Sequence, residues 1–216
     1  MVNASDIGKA LAEGPKKGTV AAGGVLRLVL DIAIDGYSGL PGARETAASH
    51  LDKRKIPEPA IDALVRQHVA LAGAQGFVTN LGGLATLAVS IPANLTGVTI
   101  VQSRMVAAIA HLRGYDLDDN RVRSAVLMCL LGRDTARNLI ADATLPTTPL
   151  AIATAPVFDA ALDRTISEKV LGLLLAQVGG KRVSLLLVKR IPLIGGAAGA
   201  ATDSWATHHI ASYGQE

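Results

Sequence analysis

Cysteine occurs once in the 216 residues, at Cys129, so no disulfide can form within the chain, and a reducing compartment is the simpler setting. Aromatic residues make up only 3%, which leaves Ala, Gly, Val and Leu to build any core. Such a composition favours close backbone approach over large interlocking side chains. A surplus of either charge is also missing. Twenty-one basic residues against 18 acidic give +3, too little to imply a nucleic-acid partner. There is no GxxxxGK[ST] phosphate loop, no HExxH and no CxxC, so neither nucleotide hydrolysis by a P-loop nor a metal site of those types is expected. Lys9, Lys16 and Lys17 precede an apolar run from Gly18, but Arg27 and Asp31 break it, so no secretory signal is read and the expected location is the cytoplasm.

The largest absence lies in the middle. From Gln67 to Ser103 there is no Asp, Glu, Lys or Arg, whereas Asp62 and Arg66 stand before the run and Arg104 and Arg113 after it. Such a stretch must be hidden from water in a protein interior or against a bilayer. Gly73, Gly76, Gly82 and Gly83 recur within it among alanines, the spacing that lets two helices pack closely. Pro92 reads as the start of the return arm, so a helical hairpin is expected with its bend near Ser90–Asn94.

The rest of the chain reads as helices. A short one over Ile7–Ala12 ends at Gly14-Pro15. Val20–Ile34 carries closely spaced apolar residues and ends at Gly36, with a buried strand at Leu26–Ile32 as the alternative. Tyr37–Gly42 is a loop. Ala43–Lys53 is a polar helix with Glu45 in its first turn and Lys53-Arg54 in its last, as the helix dipole favours. Pro57 and Pro59 open the helix that enters the uncharged run, and the return arm extends to about His111. Asp118 or Asp119 caps a helix over about Arg121–Leu131. Gly132 breaks it before a second piece, Asp134–Ala143. Helices are expected at Ala151–Ala161 and Leu162–Gln177, with a break at Gly179-Gly180, then Lys181–Arg190, and a last helix from Pro192 to about Tyr213-Gly214. The expectation is an all-α, single-domain helical bundle over residues 1–216, built around a central Gly/Ala-rich hairpin, with residues 1–36 as N-terminal helices.

A membrane span needs about 20 mainly apolar residues. Val69–Ile91 is long enough, but it holds Gln75, Thr79, Asn80, Thr86 and Ser90 as well as its glycines. The return arm meets Arg104 about three turns after Pro92, and a mid-helix Arg costs about 2.5–3.5 kcal/mol. Val170–Gly180 and Ile191–Thr202 are too short to span. A core hairpin, a hairpin dipping into or docked on a membrane, and integral spans all follow from the run; the polar content favours the first two. The doublets Lys181-Arg182 and Lys189-Arg190 fall within about 80° of each other on a helix, so they can face anionic head groups or form an ordinary solvated face.

Candidate chemistry is sparse. His208 and His209 point about 100° apart on a helix and do not easily share a metal. His50, His68 and His111 are scattered along the chain. Ile194–Gly199 lacks the first glycine of a dinucleotide loop and has no βαβ context. Cys129 sits on an apolar helix face and reads as a buried structural thiol. Gln102, Arg104 and His111 form a polar group on the return arm that can close the bundle against Asp62 or Asp116, or line a site. Asn80 and Asn94 are buried-polar candidates for fixing hairpin register. No cofactor or metal is implied.

Gly76–Leu84, Ile91-Pro92-Ala93-Asn94-Leu95 and Gln102–Asp116 together resemble the EcsC protein family. Gly39-Leu40-Pro41-Gly42-Ala43 and Ile191–Gly196 are also similar to it, which extends the likeness from about Gly36 to Ala206. The resemblance implies a bacterial, membrane-associated protein, named after a gene beside an ABC transporter linked to secretion and competence. It implies no catalytic residues. Three functions remain open: a non-enzymatic protein docked on a membrane or transporter subunit; a soluble bundle enclosing a lipid or other apolar ligand, walled by Phe77, Leu84, Leu95 and Met105; and an enzyme with a site near Arg104 and His111.

Overall fold

The computed structural model describes residues 22–37, 39–81, 87–187 and 192–216. The helix expected at Ile7–Ala12 lies outside them. Among the described residues there are nine helices and no strand: α1 (Ala22–Asp35), α2 (Ala43–Arg54), α3 (Pro57–Leu81), α4 (Leu87–Leu112), α5 (Asn120–Cys129), α6 (Arg133–Ala141), α7 (Pro149–Ala153), α8 (Ala160–Leu187) and α9 (Pro192–Gly214). The all-α bundle is therefore as expected, and α1 is helix rather than strand.

Helix α1 buries Leu26, Val29, Leu30 and Ala33, the i, i+3, i+4, i+7 stripe that periodicity picks out, together with Ile32 and Ile34. Gly36, at φ +82°, ends it. A Cβ at Gly36 would stand 2.6 Å from the Leu40 carbonyl oxygen, and one at Gly42 would collide with the Ile34 carbonyl. The two glycines let the loop fold tightly back, with Tyr37 and Leu40 exchanging backbone hydrogen bonds at 3.0 and 2.9 Å. Asp119 caps α5 by accepting the Arg121 backbone N–H at 2.8 Å. Thr148 caps α7, and Asp159 caps α8 through the amides of Ala161 and Leu162.

Three expected boundaries are corrected. The hairpin does not bend at Ser90–Asn94: α4 already begins at Leu87 and carries Pro92 in its second turn. Proline's fixed φ suits a helix, but Pro92 is the sixth residue, past the first turn, so the helix goes without the one hydrogen bond its missing N–H would make four residues back. Gly179-Gly180 is no break, since α8 runs through both to Leu187. Glycine costs about 1 kcal/mol in a helix but does not forbid one. The helix expected over Ala151–Ala161 stops at Ala153, where Pro156 cannot continue it and Asp159 starts the next.

Helix α4 is central, touching α1, α2, α3, α5, α8 and α9. Every residue from Gln102 to Ile109 on it is buried. The most extensive helix pairing is not between the hairpin arms but between α3 and α9. Gly73 lies in this contact: a Cβ there would run into the Ser204 hydroxyl, which donates to the Val69 carbonyl at 3.3 Å.

Candidate functional site

The hairpin arms enclose one cationic centre. Arg104, on α4, is 7% exposed. Its Nε–H donates to Nε2 of His68 on α3 at 3.2 Å, and its Nη1 donates to the Pro41 carbonyl at 3.2 Å. Nδ1 of His68 lies 2.8 Å from the Leu64 carbonyl and so carries the proton, leaving Nε2 as the acceptor that Arg104 needs. Burial drives the His68 pKa down to about 4, and Arg104 beside it adds to the effect. Burial also lowers the Arg104 pKa. Among the described residues no carboxylate is paired with Arg104. The tight loop supplies the Pro41 carbonyl, and Thr46 ties the same loop down by donating to the Gly42 carbonyl at 2.7 Å.

This is not the cluster anticipated from spacing. Gln102 is buried and donates to Thr207 of α9 at 3.1 Å, so it ties α4 to the last helix. His111 is exposed and lies about 10 Å further along α4 than Arg104. Neither Arg104 nor His111 pairs with Asp62 or Asp116: Asp62 is exposed, and Asp116 accepts the Asp118 amide at 2.9 Å. Met105 is fully buried in the common core. The side chains of Phe77, Asn80, Asn94, Leu95, Lys181 and Arg182 lie outside the described residues, as do Leu84, Lys189 and Arg190 entirely.

A second polar network joins α1, α5 and α8. Asp163, 6% exposed, accepts from Ser124 at 2.6 Å and from Arg27, while Arg123 pairs with Asp31 close by. It was not singled out from sequence, because its members lie far apart in the chain. Cys129 is buried as expected, and its burial pushes the thiol up to about 12, well away from reactivity. Among the described residues no group of three or more His, Cys, Asp or Glu could hold a metal ion.

The outer surface of α3 and α9 has a different character. Beyond Arg66, the exposed residues described on α3 are Gln67, Ala70, Leu71 and Ala74. Those on α9 are Ala197, Ala201, Thr202, Trp205, His208 and His209. None is Asp, Glu, Lys or Arg, and the one acid within α9, Asp203, is buried. Leu71 is 40% exposed and Trp205 64%. The Trp205 ring leans on His209 with centroids 4.1 Å apart. No helix among the described residues is long and apolar enough to cross a membrane.

The chain matches no protein-family model, no curated protein and no solved structure.

Proposed function

We propose that this is a non-enzymatic, peripheral membrane protein that rests the outer face of α3 and α9 on a bilayer or on a membrane-protein partner. The observation that carries the reading is that face, whose described exposed residues beyond Arg66 include no Asp, Glu, Lys or Arg, with Trp205 and Leu71 turned outward. Tryptophan suits the boundary between head groups and acyl chains, because its ring is apolar and its N–H is polar. Burying apolar surface on contact stabilises by roughly 25 cal/mol per Å². The absence of a span-length apolar helix among the described residues is in keeping with surface attachment.

The likeness of Gly76–Asp116 to the EcsC family supports the same reading and suggests a role beside an ABC transporter or in secretion, on the cytoplasmic face. The basic doublets Lys181-Arg182 and Lys189-Arg190 are the candidates for anionic head groups. A catalytic reading gains little support: Arg104 spends hydrogen bonds on His68 and on a backbone carbonyl, and His111 stands apart from it.

Flotation with vesicles of mixed phosphatidylcholine and phosphatidylglycerol tests the proposal. The protein is expected to float with the lipid, and Trp205→Ser to shift toward the unbound fraction. A protein that stays wholly unbound at low salt would rule out direct lipid attachment.

A further inference from the structure

On another part of the bundle, a cleft of about 230 Å³ opens between α4, α5, α7 and the end of α9. Its walls include Val106, Val126, Cys129, Leu150, Ala153 and Tyr213, and Arg113 lies at its edge. A dry cavity of about 150 Å³ already admits benzene, whereas drug-sized ligands occupy about 300–1,000 Å³. The space thus suits a single ring or one short alkyl chain, and is too small for a two-chain lipid. Leu150, half exposed, offers an apolar lip at its mouth.

Tyr115 also lines the wall, and the buried Cys129 and Tyr213 there are uncharged near neutrality. Burial pushes the Cys129 thiol and the Tyr213 phenol each up to about 12. The ions at the rim are already engaged: Arg113 bonds to the Gln215 carbonyl and faces Glu58 at 3.4 Å, and Glu216 pairs with Arg133. An ionic ligand head would have to displace one of these partners. Tyr213 is 7% exposed, and among the described residues nothing accepts a hydrogen bond from its hydroxyl. The hydroxyl itself is not sealed from solvent, so a ligand acceptor would take the place of a water there.

We propose that this cleft binds a small, uncharged, apolar molecule with one hydrogen-bond acceptor, the size of a medium-chain ketone or alcohol, with Tyr213 donating to the acceptor. The cleft is separate from the face on which the membrane reading rests. Trp205 lies about 12 Å along α9 from Tyr213, and it is 64% exposed whereas Tyr213 is 7% exposed.

The test is a titration with 2-octanone followed by amide chemical shifts, with octanoate and toluene run beside it. Saturable shifts are expected at the amides of Ala110, Ala125 and Ala153, with octanoate binding more weakly than the ketone. Ala153→Trp, at a half-buried position, fills the cleft and should weaken ketone binding at least tenfold. Tyr213→Phe should weaken the ketone about fivefold and leave toluene unchanged. Trp205→Ser should leave ketone binding intact, which separates this proposal from membrane docking. The proposal is overturned if no shift saturates for the wild-type chain, if Ala153→Trp binds as before, or if Tyr213→Phe weakens ketone and toluene alike.

Discussion

Arg104 and His68 face each other across the hairpin, the guanidinium donating to the one imidazole nitrogen that has no proton. The pairing requires a neutral histidine, because an imidazolium would turn the acceptor into a donor beside a buried cation. Burial holds the His68 pKa near 4, against an ordinary value of 6.5. The unfolded chain therefore takes up the proton first as pH falls. The contribution of His68 to stability is whole above about pH 6.5, declines between 6.5 and 4, and is gone below 4. A gap of that size corresponds to about 3 kcal/mol. Urea unfolding across this range is expected to show a slope that His68→Gln removes; equal slopes in both proteins would contradict the assignment.

Arg104→Lys keeps the charge but loses the planar fork that reaches both His68 and the Pro41 carbonyl. The expected cost is about 1–3 kcal/mol from one buried acceptor left unpaired. Denaturant unfolding measures it, and a value within about 0.5 kcal/mol of wild type would show that the fork is dispensable.

The loop that presents Pro41 makes a graded prediction. Gly36→Ala meets the Leu40 carbonyl at 2.6 Å and is strained at φ +82°, and Gly42→Ala meets the Ile34 carbonyl. Backbone cannot swing aside as a side chain can, so each should lose at least 2 kcal/mol, roughly the scale of overpacking with strain. Gly39→Ala at φ +84° has open space around it, so only the conformational cost of about 1 kcal/mol remains. Thermal melting of the three variants gives the order directly.

At the α3–α9 contact, Gly73→Val would push Ser204 away and break its bond to the Val69 carbonyl. Overpacking of this kind costs about 1–3 kcal/mol. Hydrogen exchange should speed up in α9 before it does so in α1 or α5. Uniform acceleration would mean that α9 is not held chiefly by α3.

Local chemistry made much of the bundle legible. The apolar stripe of α1, the polarity of α2, the Asp119 cap and the start at Pro192 all follow from patterns within one or two turns. The site was less legible because it depends on where the hairpin turns. His68–Arg104 and Gln75–Gly97 share Thr86 as their midpoint in sequence. A bend at Pro92 would instead set His68 opposite Asp116 and Arg104 opposite Asn80. Placing the helix start at Pro92 shifts the partner of every residue on the return arm. The Pro41 carbonyl is backbone, which no residue-type search finds. The outward face was visible only as a lack of charge, since which side of α3 and α9 meets the core is set by tertiary packing.

The chain's single tryptophan lies on that face and reports on it. The direct measurement is Trp205 emission as vesicles containing phosphatidylglycerol are added, with brominated lipid as a quencher. Membrane docking predicts a shift to shorter wavelength and quenching by bromine near the head-group level. An emission spectrum that neither shifts nor quenches at saturating lipid would contradict it.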